Sequence, residues 1–365
     1  MRMKISILDR YIMRKFLATF LFVMLLFSMI AVIIDFSQNV EEFIDEQLSP
    51  RQVITAYYLN FIVFINGLLW PLFVLITVIF FTSRLAYNAE IIAILNAGVS
   101  YRRFLRPYFL SAGMIALAHL VMNHYLIPMS NKPRLDFFHS YIMKESEKGN
   151  TRDVHMFTAP GEKVYLRDYF KRDSFGRNFR LEHFEGSRLL SFLEAEEIRW
   201  QGRPNKWKLH NFEEHKFQGE EETIRVGRNA RLDTVLNLVP EDFVRYDATK
   251  EMIPSHRLQR FIEEEQLRGV GNTKVYEIEL HRRSADPYMI LVVTLIGVAV
   301  ASRKVRGGLG LHLAIGVVLG AVFIFLSKFS MTFANGEALS AFWGVWLPNL
   351  IFSVLAGWLT VKAQK

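Results

Sequence analysis

The chain has 365 residues, of which 51% are hydrophobic, 14% aromatic and 22% charged, and its net charge is +8. It contains no cysteine, which excludes disulfides, Cys-ligated zinc, iron–sulfur clusters and thiol catalysis. So many charges exclude a protein lying wholly in lipid, and so many apolar residues require the two kinds to be segregated into blocks.

They are segregated. A membrane-crossing helix needs about 20 apolar residues, and Phe16–Ile34 is the first such run, free of charge. It is longer than a signal-peptide core and no A-x-A-like site follows it, so a retained helix is expected. Val53–Phe81 is the second run, long enough to tilt or to break near Trp70-Pro71. Phe104–Ile127 is the third, entered through Arg106-Pro107. A long polar stretch follows, then Pro287–Ser302, Leu309–Phe333 and Ala341–Val361. The fourth run is short, and a protein-covered start around Arg282–Asp286 is expected.

Inside the polar stretch the apolar period changes to two. Val164–Tyr169, Phe179–Phe184 and Trp207–Leu209 alternate, and turn clusters separate them at Ala159-Pro160-Gly161, Asp173–Gly176 and Gln201–Asn205. Short strands so spaced predict an antiparallel sandwich or jelly roll. Ser255 reads as the N-cap of a helix over His256–Arg268 with Gly269 as its stop, and a second helical stretch, Lys274–Arg283, leads into the fourth span. The expected fold is an α-helical membrane protein, six transmembrane helices in a 3+3 arrangement, with an inserted extracytoplasmic antiparallel β-jellyroll-like domain. The divisions are transmembrane helices 1–3 over 1–127, with a short cytoplasmic helix at about 88–98, the β domain over 128–254, a helical connector over 255–285, and transmembrane helices 4–6 over 286–365. No short-period repeat is visible, and the 3+3 layout hints at internal pseudo-symmetry.

The short loops orient the chain. Arg2, Lys4, Arg10, Arg14 and Lys15 precede the first run; Arg84, Arg102, Arg103 and Arg106 lie between the second and third; Arg303, Lys304 and Arg306 lie between the fourth and fifth; Lys362 and Lys365 follow the sixth. The opposite side has only Arg51 in its first short loop, beside Asp35, Glu41, Glu42, Asp45 and Glu46, and no Lys or Arg in Ala334–Ser340. This asymmetry places both termini in the cytoplasm and the β domain outside it. The positive charge is mostly topology, and no nucleic-acid partner is expected.

No G-x-x-x-x-G-K-[ST], G-x-S-x-G or H-E-x-x-H motif is present. If ATP drives this protein, another chain hydrolyses it. His119 and His124, five residues apart in the third run, point to different faces of a helix and read as packing histidines; no cofactor or metal is expected. The loop Arg84–Ser100 is more informative. Glu90–Asn96 reads as a short amphipathic helix with Ile91, Ile94 and Leu95 as its apolar stripe and Ala97-Gly98 as its stop. Its E-x-x-A-x-x-x-A-G-x-S pattern resembles the coupling helix of ABC-transporter membrane subunits, which docks into a separate ATPase. Glu90, Ile91, Ile94, Leu95 and Gly98 would then be the coupling residues. The plainer reading, a helix lying on the bilayer, is disfavoured because no Lys or Arg falls between Arg84 and Arg102.

Lys328 interrupts the fifth run, where an ionisable residue costs about 2.5–3.5 kcal/mol at the bilayer centre. It has either a functional role or a snorkelling path to the interface, and Asp35 could pair with it. Lys132, Arg134, Arg282 and Arg283 fall where the β domain meets the membrane. They could contact phosphorylated lipid head groups or brace the neck with salt bridges.

Leu8-Asp9-Arg10-Tyr11-Ile12 opens the first span, Glu90–Ser100 separates the second and third, and Met252–Leu258 and Glu279–Arg283 precede a fourth that opens with Asp286-Pro287. In this order, and over nearly the whole chain, they resemble the LptF/LptG (YjgP/YjgQ) permeases, and the Leu-Asp-Arg-Tyr start favours the LptG branch. The resemblance implies a heterodimer of an LptF-like and an LptG-like permease bound to a cytoplasmic LptB-like ABC ATPase dimer. It implies extraction of lipopolysaccharide from the inner membrane and delivery through the β-jellyroll to LptC- and LptA-like periplasmic proteins. It implies lateral gates at spans one and five, making Asp35, Phe36 and Lys328 candidate gate residues, and adds Lys328 to Lys132, Arg134 and Arg282 as candidate head-group contacts. Members carry a Lys at the outer end of span one, where this chain reads Ile34-Asp35-Phe36; Lys328 would supply that charge instead. The rival readings are a permease of another ABC system with a periplasmic domain, for lipoprotein release or mechanotransmission, which usually has four spans, and a membrane scaffold without a transport role.

Overall fold

The computed structural model describes residues 6–143, 152–170, 173–202, 205–219, 221–243, 250–267, 273–303, 308–336 and 338–363. Of the positions singled out above, Arg2, Lys4, Arg203, Pro204, Arg268, Gly269, Lys304, Arg306 and Lys365 lie outside them. The chain forms two compact units. The first comprises Met1–Tyr141, Glu251–Ser255 and Lys274–Lys365; the second comprises Ile142–Lys250 and His256–Thr273.

The first unit holds, among the described residues, six helices long and apolar enough to cross a membrane. Span one, Ile7–Asp45, starts at a capping box: the Ser6 hydroxyl accepts from the Asp9 backbone N–H and the Asp9 carboxylate accepts from that of Ser6. Two orphan donors of the first turn are thereby satisfied. Span two is entered through a π-helical turn, Val53–Tyr58, and continues as Leu59–Tyr87. Span three runs from Tyr101 to Ile142 with π-helical turns at Met122–Leu126 and Phe138–Ile142, so the helix passes the expected end at Ile127. Span four is one helix, Lys274–Ala301. Spans five and six are Gly308–Asn335 and Ala341–Ala363.

Span two does not break at Pro71, and the reason lies in span three. Proline lacks an N–H, so the carbonyl four residues earlier loses its helical donor. In lipid that orphan must find another partner. The Gly67 carbonyl, freed by Pro71, is met by His119 Nε2 at 2.8 Å, and the His119 ring stacks on Trp70. The Arg283 carbonyl, freed by Pro287 in span four, is met by the Asn123 amide at 3.4 Å. His119 and Asn123 are four residues apart, so they share one helix face. Span three thus supplies side-chain donors to two proline-interrupted helices. A Cβ on Gly67 would collide with Ile127, which keeps this contact close.

Span four is the centre of the bundle. Of its most apolar window 67% is buried, against 17% for spans one and five. It packs on spans two, three and six, burying Met289, Ile290, Val293, Ile296 and Val298. Spans one and five leave Phe22, Leu25, Ile33, Val318, Phe325 and Phe329 exposed.

The second unit is a six-stranded antiparallel sheet: β1 Arg152–Ala159, β2 Glu162–Phe170, β3 Phe175–Glu185, β4 Arg188–Gly202, β5 Lys206–Gln218 and β6 Glu221–Val235. The strands lie in sequence order, a meander without Greek-key crossings among the described residues. Val164, Leu166, Phe179, Leu181, Ala195, Trp207 and Leu209 form one buried face. Trp207 donates its indole N–H to the Leu238 carbonyl at 3.0 Å, securing the chain after β6. A helix over Ser255–Leu267 follows.

Candidate functional site

Two places in the helical unit bring chemistry together, at opposite ends of the spans. At the end carrying the N-terminus, Arg103 forks onto Asp9, Nη1 to Oδ1 at 2.6 Å and Nη2 to Oδ2 at 2.7 Å, and Nη2 also reaches Ser6 Oγ. Asp9 is buried while the Arg103 side chain stays about a third exposed, so the carboxylate is shielded and the bidentate geometry makes the pair specific. Arg103 occupies the first turn of span three, where its backbone N–H is capped by Ser100 Oγ. One arginine therefore ties the start of span one to the start of span three.

Between spans two and three sits the short helix Glu90–Asn96. Its entry residue Ala89 and its exit residue Gly98 both have positive φ, 58° and 85°, and these two left-handed residues turn the helix out of the chain direction. Glu90 is held from span one: Tyr11 Oη donates to Glu90 Oε2 at 2.9 Å, and Lys15 Nζ donates to Tyr11 Oη at 2.6 Å. The apolar stripe does not face outward. Ile91 is buried in the core of the spans, with Ile94 and Leu95 packed against it. The exposed face is Ile92, Ala93, Asn96, Ala97 and Gly98. Ile91, Ile94 and Leu95 anchor the helix, because a stripe of that length is stable only against an apolar surface.

At the other end, spans two, four, five and six enclose a cavity of about 250 Å³. Its wall is apolar, including Leu72, Val293, Phe323 and Ile324, and its charged lining residues are Arg282, Asp286 and Lys328. Arg282 pairs with Glu279 at 2.8 Å and more loosely with Asp286 at 3.9 Å. Arg283, buried, is saturated by Glu279, the Ile253 carbonyl and Ser255 Oγ. Lys328 has no carboxylate within salt-bridge distance among the described residues. The cavity lining thus holds two cations against one carboxylate, a net of one positive charge, and Lys328 is the cation there without an ion pair among the described residues.

The other expected head-group and gate residues lie elsewhere. The pairing of Asp35 with Lys328 does not form: Asp35 Oδ1 accepts from Tyr57 Oη at 3.1 Å, inside an aromatic cluster with Tyr58, Phe43 and Phe137. Tyr57 is one turn-crossing away in the next span, whereas Lys328 faces the separate cavity. Arg134 is buried against Phe64, its guanidinium carbon 4.0 Å from the ring centroid, with Nε donating to Asn131. Lys132 and Phe36 are exposed. Of the proposed head-group set, only Arg282 and Lys328 come together.

A family model described as lipopolysaccharide export system permease LptF/LptG matches residues 10–362. The chain belongs to this family. No individual curated protein matches it. Six apolar helices and this membership make the chain a multi-pass inner-membrane permease of lipopolysaccharide export, a transporter subunit that works with other Lpt components. In this LptF/LptG permease the sequence reading missed Asp9, Arg103, Tyr11 and Asp286 as site residues. Asp9 and Tyr11 stood in the motif that opens span one, but nothing local announces that their partners lie 94 and 79 residues away. Asp286 carried a signal, a carboxylate opening an apolar run.

Proposed function

We propose that this chain is the LptG-like half of an ATP-driven lipopolysaccharide extractor, oriented with the Glu90 helix in the cytoplasm and the sheet in the periplasm. Lipid A has several acyl chains, each CH₂ worth about 0.8 kcal/mol in the bilayer, so extraction needs external work. A cytoplasmic ATPase dimer supplies it by docking on Ile92, Ala93, Asn96 and Gly98. The two clamps, Arg103–Asp9 and Tyr11–Glu90, carry the displacement into span one. Spans one and five, with their large uncovered apolar faces, border the lipid path against an LptF-like partner, and the sheet hands the lipid to LptC- and LptA-like proteins.

The observation that carries this reading is the unmatched Lys328 beside Arg282 at an apolar cavity. An acyl chain fills such a wall, and a lipid phosphate neutralises such a charge. The test is co-purification. The chain, expressed with a candidate small P-loop ATPase and a second permease of the family, forms a stable complex, and Ile92→Asp abolishes ATPase retention while membrane insertion persists. Unchanged retention in Ile92→Asp and Glu90→Ala together would remove the docking assignment.

A further inference from the structure

Beside the Glu90 helix the structure holds a second cavity, about 280 Å³, lined by Lys15, Ala18 and Thr19 of span one, Phe80, Arg84 and Leu85 of span two, and Asn88 and Glu90. Its charges are two cations and one carboxylate, a net of one positive. Arg84 is exposed and makes no ion pair among the described residues. Lys15 is exposed and, among the described residues, its ammonium engages neutral Tyr11 alone, through the hydroxyl and, at 4.4 Å, the ring. Glu90 is already bonded to Tyr11. Phe80, 38% exposed, and Ala18, also exposed, form an apolar strip in its lining, one from each span.

We infer that this cavity binds the head group of an anionic phospholipid of the leaflet at the basic end of the spans, with one acyl chain laid along Phe80 and Ala18. The match is one of charge and shape. A phosphodiester carries a single negative charge, which balances the cavity's net charge. Lys15 and Arg84 offer N–H donors to its oxygens and Asn88 an amide to a head-group hydroxyl. A soluble anion would use the cations but not the apolar strip. Because Lys15 also donates to Tyr11, and Tyr11 to Glu90, an anion on Lys15 fixes the lysine that holds the Tyr11 hydroxyl against Glu90. The lipid thereby stiffens the attachment of the short helix to span one. Which leaflet supplies the lipid rests on the orientation proposed above; the binding itself does not, so the two can fail separately.

The full-length chain, purified in mild detergent, is titrated with phosphatidylglycerol or phosphatidylcholine and bound lipid is counted by native mass spectrometry. Phosphatidylglycerol is retained in preference. Arg84→Gln lowers its apparent affinity about fivefold and Lys15→Gln with Arg84→Gln about twenty-fivefold, the effect of one and two basic residues at an anionic surface. Arg51→Gln, in the opposite loop, leaves it unchanged. In nanodiscs, amides of 90–96 exchange more slowly with phosphatidylglycerol than with phosphatidylcholine, and Tyr11→Phe removes the difference. Equal retention of the two lipids, equal losses in Arg51→Gln and Arg84→Gln, or displacement of the lipid by millimolar inorganic phosphate would each overturn the assignment, the last in favour of a soluble phosphate site.

Discussion

His119 stands in for the N–H that Pro71 lacks: its Nε2 lies 2.8 Å from the Gly67 carbonyl, the oxygen that Pro71 deprives of a helical donor. A carbonyl only accepts, so the ring is the tautomer with its proton on Nε2. This contact makes the third span a structural partner of the proline in the second. His119→Ala therefore costs about 1–3 kcal/mol, the desolvation of an unmet buried acceptor. Pro71→Ala restores the backbone donor, and in that background the cost of His119→Ala falls by at least about 1 kcal/mol. Denaturant unfolding of the four proteins in detergent measures the coupling; additive effects would show that His119 acts through packing alone.

The Asp9–Arg103 clamp gives a second expectation. Arg103→Lys is not conservative, because a point ammonium cannot reproduce the two parallel hydrogen bonds. It destabilises by about 1–3 kcal/mol, since a buried carboxylate loses one donor. Asp9→Asn combined with Arg103→Gln recovers part of that loss, while either alone does not. The readout is thermal stability of the purified chain, with ATPase coupling in the assembled complex as a second measure.

Gly98 has φ 85° and open space around its Cα. A side chain there meets no neighbour, so the effect of substitution is conformational. Gly98→Val costs more than Gly98→Asn, because asparagine tolerates the left-handed region and a β-branched residue does not. The ranking is checked by hydrogen exchange of the Glu90–Asn96 amides, which lose protection in the order valine, then asparagine.

In the sheet, His215 lies between two carboxylates, Nδ1 to Glu222 at 2.6 Å and Nε2 to Glu213 at 2.8 Å, with its ring stacked on Phe192. The bond to Glu222, then that to Glu213, raises its pKa above the ordinary imidazole value. A raised folded-state pKa contributes stability that is complete below the unfolded value, roughly pH 6.5, and is lost as pH rises through the folded one. The β5–β6 pairing is accordingly better protected at pH 5.5 than at pH 8, and His215→Gln flattens that dependence. Exchange of the 207–234 amides at the two pH values tests the sign.

The six spans were legible because lipid imposes them: each is an apolar run about as long as the hydrocarbon core requires. The strands were legible only in part. β2, β3 and β5 alternate because one face is buried, whereas β6 is an edge strand with 11 of its 15 residues exposed, and its spaced Ile224, Val226, Ala230 and Leu232 stand among charged and polar residues. The end of span three was misplaced because Asn131, Arg134 and the aromatics after it are buried by protein rather than by lipid, and hydropathy does not register that kind of burial. Glu90 was singled out by the E-x-x-A-x-x-x-A-G-x-S pattern of its loop, and Lys328 as a charge inside an apolar run. Their surroundings were not: Tyr11 acquires meaning only through its contact with Glu90, 79 residues away, and Asp286 only where the cavity wall gathers it with Lys328. Asp35 was paired with the wrong residue for the same reason.

Lipopolysaccharide passing the cavity at Arg282 and Lys328 is the central claim, and site-specific photocrosslinking addresses it most directly. A photoreactive residue is placed at Ile324 or Lys328, with Val354, an exposed span-six position, as control, in the permease assembled with the ATPase proposed above. The account predicts lipopolysaccharide adducts from positions 324 and 328 that diminish on ATP turnover, and few from 354. Adducts of equal yield at all three positions, or none at 324 and 328, would contradict it.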